Sequence, residues 1–264
     1  MMKKETATKK LLQGVICGDV IREMEKLKNK GASFSCIYAD PDYNVGVKYR
    51  STSYKQQFDK YIDWCIEWSQ LAHDLLDDDG NLFIINYPKN NSYLRVKYLD
   101  KAFYDVHEYV WVYNQNIGHS KRRFTTAHRS ILHCRKSEKN KFYKENVAVP
   151  YENPKDKRIK EQIKNGSKGR MPYSWFYFNL VKNVSRDKTE HPCQIPQKLS
   201  TLLISSCTQP LDSILILFTG SGNDVISSIK LQRWVTTIDI KKEYCDLVKN
   251  RIKKLDIPLT YYGL

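Results

Sequence analysis

No stretch of this 264-residue chain is apolar for long enough to cross a membrane. Its 7 cysteines are odd in number, scattered and without any Cys-x-x-Cys pair. That argues against a disulfide framework or a zinc site, and reduced thiols are expected. The 6 histidines stand at 73, 107, 119, 128, 133 and 191 with no HExxH or paired spacing, so no metal is expected. The basic opening, Met1 to Lys10, lacks the apolar core and cleavage site of a signal peptide. A soluble, cytoplasmic protein with no membrane partner is the expectation. Acidic residues are in deficit too: 29 Asp and Glu face 44 Lys and Arg, a net charge of +15. Such an excess favours a polyanionic partner, nucleic acid first. At 41% hydrophobic and 28% charged the composition is globular, and the length allows one large domain or one domain with an insertion.

What is present is an alternation of strand and helix signals. Val15-Ile16-Cys17 is a short apolar run ending at Gly18-Asp19, and Val20, Ile21, Met24 and Leu27 then recur at helical spacing. Ser35 to Ala39 reads as a buried strand that stops at Asp40-Pro41-Asp42-Tyr43. Pro41 removes a backbone donor and fixes φ, leaving outward carbonyls and an aromatic ring beside a carboxylate. That corner suits a flat, hydrogen-bonding ligand such as a nucleobase, although Asp-Pro is also common turn punctuation. Phe58, Tyr61, Ile62, Cys65, Trp68, Leu71, Ala72 and Leu75 mark one face of a long helix. Asp77 to Gly80 should turn the chain into a strand at Leu82–Ile85. A weaker helix is expected over 90–104, with strands at Tyr109–Tyr113 and Ser130–Cys134. From 136 to 190 Lys, Arg, Tyr, Phe and Asn dominate and no long amphipathic helix emerges, as in an inserted segment with its own task. Regular patterning resumes after His191. A helix carries Leu199, Leu202 and Leu203, a strand spans Ser213 to Phe218, and a turn and helix reach about Leu231. A strand from Trp234 to Asp239 and a last helix through Ile252 follow. The alternation predicts an α/β fold with a mostly parallel sheet covered on both faces.

Gly220-Ser221-Gly222 lies between a buried strand and a helix, where α/β sheets place ligands against backbone and helix N-terminus. Val225 stands where GxGxxG has its third glycine and no phosphate-binding Lys follows, so this is not a nucleotide-phosphate loop. Asp239 closes the next strand and is placed to accept hydrogen bonds from a ribose. Together they suggest an adenosine-bearing ligand without a pyrophosphate requirement. Strand carboxyl ends share one edge of a parallel sheet, so Asp19, Asp40 to Tyr43, Gly220 to Gly222 and Asp239 should line one crevice.

Asp40-Pro41-Asp42-Tyr43, then His191-Pro192-Cys193-Gln194-Ile195-Pro196, then Phe218-Thr219-Gly220-Ser221-Gly222 resemble, in that order, the motifs of the DNA amino-methyltransferases of the β arrangement. The resemblance covers nearly the whole chain, residues 1–264 as a single catalytic domain, with a basic target-recognition segment inserted at 115–190. It implies a Rossmann-like methyltransferase fold. It also implies transfer of a methyl group from S-adenosylmethionine to adenine N6 of a base flipped out of double-stranded DNA. Asp40 and the Pro41 carbonyl would accept hydrogen bonds from the amino group and Tyr43 would stack on the base. Asp19, Asp40, Gln194, Pro196, Phe218, Gly220, Ser221, Gly222, Asn223 and Asp239 would hold the cofactor, with Asp239 on its ribose and Asp19 near its adenine. An initial Asp points to adenine, since cytosine-N4 enzymes more often begin with Ser. A homodimer and a cognate restriction endonuclease are the further partners the resemblance brings.

The chain departs from the pattern at Asp42, where the family has a second Pro, and at Ile216-Leu217, where it has an Asp-Pro whose acid lies near the methionine end of the cofactor. Cys193, Ile195 and Asn223-Asp224 depart as well. The departures leave open a DNA-binding subunit with little or no activity, while cytosine N4 and RNA remain alternative substrates. Lys121, Arg122, Arg123, Phe124, Arg129, Lys168 and Arg170 are the expected DNA contacts; basic groups of this kind supply affinity and salt dependence rather than sequence information.

Overall fold

The computed structural model describes residues 14–46, 48–49, 52–53, 55–114, 121–181, 188–191 and 193–255. The basic opening segment, Pro192, and residues 115–120 and 182–187 of the expected insert lie outside them. β1 (Gly14–Cys17) runs into α1 (Val20–Asn29), which Asp19 caps: the Arg22 N–H donates to its Oδ1 at 3.1 Å. β2 (Phe34–Ala39) is buried throughout and leads past a short hairpin, β3 (Lys48–Tyr49) and β4 (Thr52–Ser53), to α2 (Phe58–Leu75). Next come β5 (Leu76–Asn86), α3 (Pro88–Leu94), β6 (Asp105–Val112), β7 (His128–Arg135), α4 (Lys157–Lys164) and β8 (Trp175–Tyr177). α5 (Gln197–Cys207), β9 (Ser213–Leu217), α6 (Asn223–Lys230), β10 (Trp234–Asp239) and α7 (Lys242–Lys253) complete the alternation.

One sheet takes the order β1-β10-β9-β2-β5-β7-β6-β8. Its neighbours are parallel except at β5–β7 and β6–β7, so β7 alone runs against the rest. α1, α2 and α3 cover one face, where Met24, Tyr61, Trp68 and Leu94 pack on Ile37, Ala39, Leu82 and Leu215. α5, α6 and α7 cover the other, with Leu199, Leu203, Ile226 and Val248 on Cys36, Tyr38, Phe83 and Ile216. Cys36 to Ala39 enter the two layers alternately, which is why β2 reads as an unbroken apolar run. The fold is therefore α/β with a mostly parallel sheet, as the alternation predicts.

Local differences from the expected elements have identifiable causes. Asp77 to Gly80 do not precede β5 as a turn but bulge within it: Phe34 pairs with Leu76 and Cys36 with Asn81. The bulge is tied down because the Asp77 carboxylate accepts from the hydroxyls of Ser33 and Ser35, the latter at 2.8 Å. Lys141 lies 3.3 Å from Asp79 on the same bulge. The helix expected over 90–104 is broken, passing from α3 through a π turn (Arg95–Leu99) to the single turn Asp100–Ala102. Within 115–190, β7 is a central strand of the sheet and β8 pairs with β6 at its edge. β8 has only 3 residues, too few for its periodicity to show. His133 of β7 is buried among Phe83, Tyr109 and Asn81 and accounts for itself structurally. Its ring nitrogens meet the Asn81 Oδ1 at 2.8 Å and the Tyr109 hydroxyl at 3.0 Å, and burial pushes its pKa down to about 3.

Candidate active site

β2 ends in the middle of the sheet, between β9 and β5. From β2 the chain steps to β5 on one side, and from β9 it steps to β10 on the other. The crevice outside such a switch point is where open α/β sheets receive ligands. Asp40, Pro41, Asp42 and Tyr43 sit in it. The Tyr43 hydroxyl donates to Asp40 Oδ1 at 2.6 Å. From behind, the Tyr61 hydroxyl donates to the Asp42 carbonyl at 2.5 Å and Asn90 Nδ2 to the Tyr43 carbonyl at 3.0 Å. Among the described residues none donates to the Pro41 carbonyl. The Tyr43 ring stands edge-on to Tyr87 at 5.3 Å, and the Arg129 guanidinium lies 3.9 Å from the Tyr87 ring centre and 5.0 Å from that of Tyr43. Burial raises the Asp40 pKa to about 7; the Tyr43 hydrogen bond opposes the rise and the neighbouring Asp224 charge adds to it.

The glycine turn forms the opposite wall. Phe218, Gly220 and Gly222 have φ of 62°, 48° and 74°. For Phe218 this left-handed backbone costs on the order of 1–3 kcal/mol, and its ring is held by Trp64 at 5.3 Å and Trp68 at 5.6 Å. The Gly220 N–H donates to Asp239 Oδ2 and the Lys241 N–H to Asp239 Oδ1, both at 2.9 Å, so Asp239 braces the turn. Asn223 Nδ2 donates to the Ile195 carbonyl at 2.7 Å, while Arg251 donates to Asn223 Oδ1 at 2.9 Å and to the Ser221 carbonyl. His191 stands edge-on to Tyr244 at 4.8 Å, and burial pushes its pKa down to about 4, leaving it neutral at neutral pH. A Cβ on Gly222 would lie 2.5 Å from Val248 Cγ2. Gly222→Ala is therefore expected to lower stability by about 1–3 kcal/mol through the left-handed φ and the pressure on α7, measured by urea denaturation.

The fold thus brings Asp19, Asp40, Pro41, Tyr43, Phe218, Gly220, Ser221, Asn223 and Asp239 around one cleft. Gln194, Pro196 and Gly222 do not reach its lining. Gln194 Oε1 accepts from the Thr189 N–H at 3.0 Å, Pro196 precedes the first turn of α5, and Gly222 enters α6. Residues not among the expected site residues also line the cleft: Trp64, Lys241 and Tyr244, together with His191, Cys193, Ile195 and Asp224, which the sequence motifs and their departures had only marked. Asp224 carried a local signal, an acid in the first turn of the helix after the glycines; Trp64 lies outside the stripe expected on α2, and nothing local pointed to it.

The expected DNA contacts fall into separate places. Lys121, Arg122, Arg123 and Phe124 are exposed, Phe124 almost completely at 99%. They lead into β7, whose reversed direction starts it beside Asn86 and Val112, on the same sheet edge as the cleft. Arg129 lies at the aromatic cluster around Tyr43. Lys168 and Arg170 are elsewhere: Arg170 pairs with Glu152 at 2.8 Å and bridges to Val149, in a segment anchored on the C-terminal end of α5.

The N6/N4 methyltransferase family, described as DNA methylase, matches residues 34–250. The chain belongs to this family of DNA methylases. It is 28% identical over 242 residues to the type II methyltransferase M.HpaI of Haemophilus parainfluenzae, covering 91% of this chain and 74% of that one. It is 25% identical to the DNA adenine methyltransferase YhdJ of Escherichia coli K12, covering 94% and 84%. In fold it is similar to the PvuII cytosine-N4-specific DNA methyltransferase, with a TM-score of 0.69 at 16% identity over 95% of this chain and 92% of that one. It is also similar to M1.HpyAVI in complex with S-adenosylmethionine, with a TM-score of 0.61 at 22% identity over 90% and 98%.

The cofactor of this DNA methylase is S-adenosylmethionine. The cleft fits it. Asp19, Asp40, Asp42, Asp224 and Asp239 line it with carboxyl groups that a positively charged ligand complements, and Ile238, Ile240 and Tyr244 supply apolar surface for a flat ring. No helix among the described residues is long and apolar enough to cross a membrane.

Proposed function

We propose that this DNA methylase modifies N6 of an adenine flipped out of duplex DNA. The observation that carries the reading is the corner after β2. A carboxylate, Asp40, and a carbonyl, Pro41, to which none of the described residues donates, face the cleft that also contains the glycine turn. When bound, S-adenosylmethionine supplies a methyl group on an electrophilic sulfonium. Asp40 and the Pro41 carbonyl accept the two hydrogens of the base amino group and aim its lone pair at that methyl; preorganised acceptors and alignment supply the rate. The Tyr43 hydroxyl now occupies Asp40 Oδ1, so the entering amino group takes its place while the tyrosine ring turns onto the base. Asp40, whose pKa near 7 lets it accept, would take up the surplus proton that the amino group gives up on methylation. Lys121 to Arg123, on the same edge, hold the duplex phosphates, and Arg129 positions Tyr43.

Adenine is favoured because the corner opens with Asp. Nucleoside mass spectrometry of DNA treated with the protein and S-adenosylmethionine should show N6-methyladenine. N4-methylcytosine would overturn the choice of base. No methylated nucleoside, on DNA of diverse sequence, would overturn the enzymatic reading in favour of a DNA-binding subunit.

A further inference from the structure

Asp224 is the second residue of α6, in the cleft wall, and only 6% of it is exposed. Among the described residues, its carboxylate takes one hydrogen bond from another residue, the Val225 N–H to Oδ1 at 2.9 Å. Oδ2 accepts none. A carboxylate buried in this way is costly unless positive charge reaches it. Arg251 of α7 is the cation that acts on it, but that guanidinium is committed to Ser221 and Asn223. The other charges near it are carboxylates, Asp239 after β10 and Asp40 after β2. β9 brings only Ile216 and Leu217 toward the cleft, both fully buried in the apolar layers. A protein of net charge +15 has thus gathered acids at one point.

We propose that Asp224 is the counter-ion for the positively charged methionine end of S-adenosylmethionine, in place of an acid at the end of β9. The proposal rests on the cofactor assignment above and goes beyond it by naming the residue that recognises the charge. The geometry separates two ends of the ligand. Asp19 and Asp239 flank the side reached from β1 and β10, whereas Asp224 and Asp40 flank the side next to the methyl acceptor.

A pH dependence follows. Burial raises Asp224 and Asp40 each to about 7, and raises Asp239 as well. A bound cation favours their ionised forms, so binding below neutrality expels protons, and affinity climbs as pH rises towards 7, until the ligand's own α-amino group, with an ordinary pKa of about 8, starts to lose its charge. The remaining groups facing this point hold their charge over that range. Burial keeps Tyr38 and Tyr43 neutral and His191 uncharged above about 4, and Arg251 stays cationic. Lys241 lines the far wall beside Asp239.

Titration calorimetry tests this with S-adenosylmethionine and with methylthioadenosine, which keeps the adenosine but has neither positive charge. Wild type and Asp224→Asn are compared at about pH 6, 7 and 8 in buffers of different ionisation enthalpy. The variant should bind S-adenosylmethionine about tenfold to a hundredfold more weakly, with smaller proton release, and methylthioadenosine within about twofold of wild type. Unchanged S-adenosylmethionine affinity, or equal weakening of both ligands, would overturn the proposal. Wild type alone supplies a second test should the variant not fold. Protons should be released at about pH 6 with S-adenosylmethionine and not with methylthioadenosine; equal release with both would sink the idea. A wild type that binds methylthioadenosine but not S-adenosylmethionine would also overturn it. Binding of neither would overturn the cofactor assignment, and this proposal with it.

Discussion

Asp40→Ala should lower methyl transfer to DNA by at least about 10²–10³-fold, the loss found when a preorganised charge-stabilising group is removed. The carboxylate stands at the end of a fully buried strand, its direction set by the parallel neighbours β9 and β5. Asp40 combines a carboxylate acceptor with a pKa near 7. Stability should suffer less, because among the described residues only Tyr43 donates a hydrogen bond to this side chain. Loss of that bond leaves one buried hydroxyl to be resatisfied, about 1–3 kcal/mol. Tyr43→Phe makes the companion variant. It keeps the ring and vacates Asp40 Oδ1, so it should retain activity within about tenfold, whereas Tyr43→Ala loses the stacking surface, about 1–3 kcal/mol per base. Transfer of labelled methyl to DNA, with thermal melts of each variant, measures all three. Full activity in a folded Asp40→Ala protein would remove Asp40 from the mechanism.

Trp68→Ala should cost about 3–5 kcal/mol of stability, a large share of the roughly 5–15 kcal/mol that a domain possesses. Trp68 is fully buried on α2 and lies against both Trp64, at 6.4 Å, and Phe218, at 5.6 Å. Its loss opens a cavity and also releases the ring that holds Phe218 in left-handed backbone. Phe218 then has reason to relax, and the glycine turn with it. Cofactor affinity should therefore fall together with stability, although Trp68 does not line the cleft. Guanidinium denaturation and calorimetry on the same preparations test the coupling. A loss below about 1 kcal/mol, or intact S-adenosylmethionine affinity in the destabilised variant, would show that the turn holds its shape unaided.

Local pattern carries far in this chain because its chemistry-bearing stretches are short and contiguous. β2 into Asp40–Tyr43, β9 into Phe218–Gly222 and β10 into Asp239 are each an apolar run that breaks at a polar or glycine residue, and period and punctuation suffice to see them. Their meeting is also legible, since parallel strands deliver their carboxyl ends to one edge. The bulge at Asp77 to Gly80 is not legible, because it depends on Ser33, Ser35 and Lys141 from other parts of the chain. Nor is the edge strand β8, which is too short to have a period.

The corner after β2 and the glycine turn were determined by sequence alone, through rules that act over a few residues. Tertiary structure decided what each side chain in them meets. Reversal of β7 carries Arg129 to Tyr43. The approach of α7 commits Arg251 to the glycine turn. The dry wall of the cleft sets Asp40 and Asp224 near 7 and His191 near 4. Burial and electrostatics belong to the assembled surroundings, and residues distant along the chain supply them.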